Sequence, residues 1–249
     1  MSKSPHSIRR RVEITAHRGS SASAPENSLS ALRQAIADGA DWAEVDVQET
    51  ADGVLVLLHD TDLKRVAGCD ASVWELGFAE IRALDAGSWF SPAFAGEPIA
   101  SLAEALDLAR GRLGLNLELK DNGHERRLPE AAVALIGERA PPGRGIITST
   151  SPALLRRVRA AAPEIPIGLV VTAPGQDAGD LRLDLVSLDA RLVTPERVRA
   201  NRAAGLATHV WTVNDPAEMR RMIALGVDNL ITDHPALLRR ILADRPGTE

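Results

Sequence analysis

The sequence predicts an α/β protein of the TIM (β/α)8 barrel kind, with a small insertion after an antiparallel hairpin that extends its second strand. Three observations point there. Short β-rich runs alternate with Ala-, Leu- and Arg-rich helical patterns almost throughout the 249 residues, the rhythm of parallel strands joined by outer helices. With the hairpin set aside there are about eight such strands, the number that closes a barrel. The turn after the first strand, "HRGSSASAPENS", is Ser/Ala-rich, whereas the rival open doubly wound sheet would need a Gly-rich dinucleotide loop there.

Taken in order, "EITAHRG" reads as the first strand and "SLSALRQAIADGA" as its helix, followed by "AEVDV". The later strands are "LGLNLELK", "GIITST", "PIGLVV", "LVSLDA", "THVWTVN" and "NLITDHP", nearly all followed by helical stretches. From Thr61 to about Ala100 the rhythm breaks: two of the four Trp and all three Phe lie there among many turn residues. This segment reads as an insertion on the barrel mouth packed by its own aromatics, either a connecting loop with a satellite core or a substrate lid. The expectation is one domain over residues 1–249 with the insertion at about 61–100.

Composition narrows the function classes. Hydrophobic residues at 45% and charged residues at 25% suit a soluble globular protein and leave no case for general disorder. A formal net charge of -5 argues against a nucleic-acid footprint, and the Arg-rich pieces "RRVRA", "MRRM" and "LLRR" have the spacing of solvated helix faces. The single Cys69 can form no internal disulfide. The basic N-terminus has no apolar run after it and no stretch is long enough to span a bilayer, so the expectation is a cytoplasmic protein without stable membrane insertion. The sequence leaves the oligomeric state open.

Chemistry enters at "AEVDV". In a strand, residues two apart share a face about 6.7 Å from one another, so Glu44 and Asp46 point one way, Val45 and Val47 the other. The valines suit the helix side of a barrel, which turns both acids inward. Two such carboxylates repel by roughly 2–3 kcal/mol at an effective dielectric of about 20, so something positive is expected between them. "LNLELK" repeats the pattern: Leu115, Leu117 and Leu119 face the helices, while Asn116, Glu118 and Lys120 face inward. Glu44, Asp46 and Glu118 make a plausible oxygen-ligand site for a hard divalent ion, Mg²⁺ or Ca²⁺.

The hairpin brings a histidine to the same place. "ETADG" is too short to connect parallel strands, so "VLVLLHD" runs antiparallel to the strand before it. A turn centred on Ala51 to Gly53 pairs residues whose numbers sum to about 104, which returns His59 to the level of Asp46. His17 and Arg18 end the first strand and share that mouth. Arg18 suits a phosphate through its planar fork, and Lys120 adds a point charge. Two histidines, a hard metal and two cations compose a phosphodiester site. His6, His124 and His234 read as structural or surface residues, and His209 is undecided.

"AHRG…APEN", "GADWAEVDVQETADGVLVLLHD", "LNLELK", "HVWTVN" and "GVDNLITDHP" together resemble the motifs of the glycerophosphodiester phosphodiesterase family in order and spacing, from about Ile14 to Pro235. The resemblance implies a TIM barrel of the phosphatidylinositol-phospholipase-C-like kind and hydrolysis of glycerophosphodiesters to glycerol 3-phosphate and an alcohol. It implies His17 as general base and His59 as general acid, with Glu44, Asp46 and Glu118 on the divalent ion and Arg18 and Lys120 on phosphate. It also implies that Glu26 hydrogen-bonds within the site and that Trp211 lies against the glycerol or the leaving group. Departures are "PENS", "RVAG", the lack of the usual proline and threonine in "EPIASLAEAL", and no Phe at "STSPALL"; they bear on the leaving-group pocket. The alternatives are a lysophospholipase D-like enzyme, an enolase-type Mg²⁺ barrel, and a non-catalytic phosphate-binding barrel.

Overall fold

The computed structural model describes residues 11–244; His6, the basic N-terminal stretch and the far end of the "ADRPGTE" tail lie outside the described residues. Eight strands form a closed parallel ring: β1 (Glu13–His17), β2 (Trp42–Glu49), β6 (Gly114–Leu119), β7 (Gly145–Ser149), β8 (Ile167–Val171), β9 (Leu185–Asp189), β10 (Ala207–Trp211) and β11 (Asn229–Thr232). Closure comes where β1 pairs with β11 on one side and β2 on the other. The barrel predicted from the βα rhythm is the one observed.

The outer layer holds α1 (Leu29–Ala37), α4 (Leu102–Ala109), α5 (Leu128–Arg139), α6 (Pro152–Ala161), α7 (Pro195–Ala203), α8 (Pro216–Leu225) and α9 (Pro235–Ala243). Five of these seven have Pro in the first turn, where its fixed φ is compatible with the helix and no donor is lost. Val45, Val47, Leu115, Leu117 and Leu119 all belong to the apolar layer between strands and helices, as the alternation requires. One unit departs from the repeat. Residues 172–184, "TAPGQDAGDLRLD", join β8 to β9 without a helix, because Pro174, Gly175 and Gly179 punctuate the stretch and its amides turn back onto the Gln176 side chain.

The lower end of the barrel is plugged. Trp42 packs there with Ile146 and Leu185, and its indole N–H donates to Glu13 at 3.1 Å. A Cβ on Gly114 would stand 2.2 Å from the Trp42 ring, and one on Gly168 would stand 2.3 Å from Leu185, so only glycine leaves room for the plug.

The hairpin runs as predicted. β3 (Leu55–Leu57) pairs antiparallel with β2 through Val47 and Leu57, Gln48 and Val56, and Glu49 and Leu55. The insertion adds β4 (Asp62–Leu63), α2 (Lys64–Ala67), β5 (Cys69–Ser72) and α3 (Phe78–Arg82). Its packing is aliphatic at the centre, with aromatic rings around it. Leu55 and Leu57 face the main core, so their alternates Val56 and Leu58 form the floor of a second one, completed by Leu63, Val66, Val73, Ile81 and Ile99. Trp74 and Phe78 pack against its edge. Trp89, Phe90 and Phe94 instead make an edge-to-face cluster at the periphery, with Trp89 41% exposed.

Among the described residues, no helix is long and apolar enough to cross a membrane.

Candidate active site

At the C-terminal mouth of the barrel a cavity of about 210 Å³ is lined by His17, Arg18, Glu44, Asp46, His59, Asn116, Glu118 and Lys120 on one side. The other side is neutral: Thr150, Val170, Thr172, Ser187, Trp211 and Ile231. The indole N–H of Trp211 donates to the Ser187 carbonyl at 3.1 Å, which fixes the ring on that wall. Every residue expected at the site lines the cavity except Glu26, which stands behind Arg18.

Glu44, Asp46 and Glu118 each offer a carboxylate oxygen, all within 4.8 Å of one another. Parallel pairing of β2 with β6 puts Asp46 beside Glu118, and that of β1 with β2 puts Glu44 beside His17. The expected positive charge is there. Lys120 Nζ lies 2.7 Å from Asp46 and 2.5 Å from Glu118, and Arg18 Nε lies 3.2 Å from Asp46. Burial works against ionisation of Asp46, but Lys120 and Arg18 outweigh it and hold the carboxyl well below the usual range. Glu44 goes the other way: burial first, then the Asp46 charge, raises its pKa well above the ordinary value. One Glu44 oxygen accepts from the Arg18 backbone N–H, and the other is buried with no partner among the described residues. Three hard oxygen donors, one of them unused and disfavouring its own charge, fit a divalent cation, which would let all three acids ionise together.

Both histidines are set by carboxylates. His17 Nδ1 is 2.7 Å from Asp233, which also accepts from Ser21 and Asn214 and is drawn down to about 2 by these bonds despite its burial. Burial lowers the His17 pKa, but the Asp233 hydrogen bond and the Glu44 charge more than compensate, leaving it raised. His59 Nδ1 is 2.8 Å from Asp60, its neighbour in sequence. Carboxylates only accept, so each ring keeps its proton on Nδ1 and offers Nε2 to the cavity.

The turn after β1 is contorted to make these contacts. Arg18 and Asn27 have φ of 55° and 56°, a left-handed conformation that Asn tolerates and Arg does not favour. In exchange Asn27 makes a reciprocal pair with Asp46, its amide donating to the carboxylate at 2.8 Å and its oxygen accepting from the Asp46 backbone at 3.0 Å. Glu26 accepts from Arg18 Nη1 at 2.9 Å and takes a two-pronged bond from Arg65 of the insertion.

Sequence reasoning missed Asp233, Asp60, Asn27 and Arg65. Asp60 and Asn27 adjoin residues that had been singled out, and Asp233 ends the strand that closes against β1; those positions were the available signal. Two other described histidines fall outside the cavity: His124 stacks on Trp74 with ring centroids 4.1 Å apart, and His234 precedes α9. His209 is resolved as a barrel-interior residue. It is 5% exposed, its Nδ1 has no partner among the described residues, and burial drives its pKa down to about 4.

That burial has a pH signature. The folded chain keeps His209 neutral, whereas the unfolded chain protonates it below the ordinary 6.5, so its contribution is full above that pH and is lost on acidification toward about 4. The expected loss is about 3 kcal/mol. Guanidinium unfolding of the protein and of His209→Leu at neutral and acid pH checks it: the variant should lose less stability, and equal losses would refute the assignment.

The comparisons agree with this geometry. Residues 17–237 match the model of the glycerophosphoryl diester phosphodiesterase family. A glycerophosphodiester phosphodiesterase of Caldanaerobacter subterraneus subsp. tengcongensis is 37% identical over 237 residues, covering 90% of this chain and 95% of that one. One of Bacillus subtilis is 30% identical, covering 93% and 86%. An Oleispira antarctica phosphodiesterase, solved in complex with the product sn-glycerol-3-phosphate, superposes with a TM-score of 0.88 at 30% identity, covering 93% of this chain and 97% of that one. A barrel carrying these acids and paired histidines, matched along nearly its whole length by such relatives, belongs to the glycerophosphoryl diester phosphodiesterase family.

Proposed function

We propose that the protein is a metal-dependent enzyme that hydrolyses glycerophosphodiesters to sn-glycerol 3-phosphate and an alcohol, by histidine acid/base catalysis through a cyclic phosphate. One domain carries the site, with residues 61–100 as its insertion. The observation that carries the reading is the pair of imidazoles, each pinned at Nδ1 by a carboxylate, facing one cavity with the acid cluster and two cations. A divalent ion, Mg²⁺ or Ca²⁺, held by Glu44, Asp46 and Glu118 would supply Lewis-acid polarisation of the phosphodiester.

The chain's own residues do the rest. His17 Nε2 takes the proton of the glycerol C2 hydroxyl as that oxygen attacks phosphorus, and His59 gives its Nε2 proton to the departing alcohol. The cyclic glycerol phosphate is then opened by water: His59, now neutral, accepts the water proton and His17 returns one to the C2 oxygen. Arg18 and Lys120 neutralise the charge that develops on the phosphoryl oxygens. Glu26 holds Arg18 in place, and Trp211 packs against the glycerol or the leaving group.

The test is a phosphate-coupled assay of glycerophosphocholine, -ethanolamine, -glycerol and -inositol, with a lysolipid for comparison, after chelation and readdition of Mg²⁺ or Ca²⁺. Release of glycerol 3-phosphate that stops on chelation and returns with one ion is expected, with a transient cyclic ester in the phosphorus NMR spectrum. Inactivity on every diester with either ion would sink the proposal.

A further inference from the structure

Arg65 belongs to the insertion and does not line the cavity, yet it makes three bonds into the machinery. Its Nε donates to Asp60 Oδ2 at 2.6 Å, and Nη1 and Nη2 donate to the two Glu26 oxygens at 2.9 and 2.8 Å. Each of those carboxylates holds a different cavity residue: Asp60 the ring of His59 at 2.8 Å, Glu26 the guanidinium of Arg18 at 2.9 Å. Trp89, from the far half of the insertion, covers the guanidinium with its ring centroid 5.5 Å away.

We propose that Arg65 is a positioning residue that locks the proton donor and the phosphate-binding arginine into one rigid unit. The chemistry requires a guanidinium. A carboxylate bonded only at one oxygen can still turn; Asp60 is held at both, by His59 and by Arg65, so the imidazole direction is fixed. Glu26 takes the two-pronged face of the same planar group, which sets where it meets Arg18. An ammonium has the charge but cannot present an edge to one acid and a fork to another. The insertion thus orients the site from behind.

This rests on the acid role proposed for His59, and the test separates the two. Two substrates are compared: glycerophosphoethanolamine, whose alkoxide must be protonated to leave, and the p-nitrophenyl ester of glycerol 3-phosphate, whose phenolate leaves unaided. In Arg65→Ala, kcat on the alkyl diester is expected to fall about 10²-fold through misorientation of the acid. On the p-nitrophenyl ester the single-turnover release of phenolate, which reports the first step alone, should fall only several-fold, and the inhibition constant of glycerol 3-phosphate should rise by a similar factor as Arg18 loses its seat. Arg65→Lys should stay closer to Arg65→Ala than to the unaltered protein. A merely structural role would lower the melting temperature and depress both substrates alike, which would overturn the proposal, as would full activity in Arg65→Lys. If His59→Ala slows single-turnover release of the two leaving groups equally, the acid assignment fails instead; the inhibition constant then decides, a raised value in Arg65→Ala supporting the clamp and an unchanged one refuting it.

Discussion

Replacement of His17 or His59 by alanine is expected to lower kcat on a glycerophosphodiester by about 10³-fold or more, with the melting temperature little changed. Each ring spends one nitrogen on a carboxylate and offers the other to the cavity, and neither belongs to an apolar core. Removal therefore takes away a proton carrier and leaves the packing alone. Because the two histidines exchange a proton within one cycle, the double variant should be scarcely slower than either single one. Steady-state rates and thermal melts of the three variants check this, and near-normal turnover in both single variants would contradict the scheme.

Asp46→Ala should behave differently, costing fold as well as chemistry. Asp46 is 1% exposed and receives Lys120, Arg18 and the Asn27 amide. Its loss removes the counter-charge that the two cations share, leaving Lys120 to Glu118 and Arg18 to Glu26, and takes away the acceptor of the Asn27 amide, which together should cost about 1–3 kcal/mol. Glu118→Gln is the contrast: the residue is partly exposed and keeps a polar oxygen for Lys120, so it should weaken binding of the divalent ion while sparing stability. Chemical denaturation alongside calorimetric titration with Mg²⁺ and Ca²⁺ distinguishes the two, and an Asp46→Ala protein of unchanged stability would refute the account.

What could be read from the chain followed from periodicity. Alternation on "AEVDV" and "LNLELK" turned three acids and a lysine inward, and the short turn at Ala51 to Gly53 forced the antiparallel return that pairs Val47 with Leu57. These are properties of a strand's pleat and need only nearby residues. Asp233 was not legible in the same way, since its bond to His17 joins residues 216 apart and exists only because β11 closes on β1. Arg65 was hidden for another reason: its place behind the site depends on how the insertion folds back, and a segment with few periodic signals gives no face on which to put it. The same blindness hid the aliphatic centre of the insertion, Val56, Leu58 and their neighbours, against which Trp74 and Phe78 pack. Residues 172–184, by contrast, carry their own explanation in Pro174, Gly175 and Gly179, and the missing helix there could have been anticipated.

The tryptophan plug at the lower end of the barrel has a consequence for traffic. With Trp42 seated between Ile146 and Leu185, the lower end of the barrel is filled among the described residues. Both fragments of a cleaved diester then leave by the opening through which it came, past the Trp211 wall. Entry and exit share a corridor, so a second diester has to queue until the first has cleared.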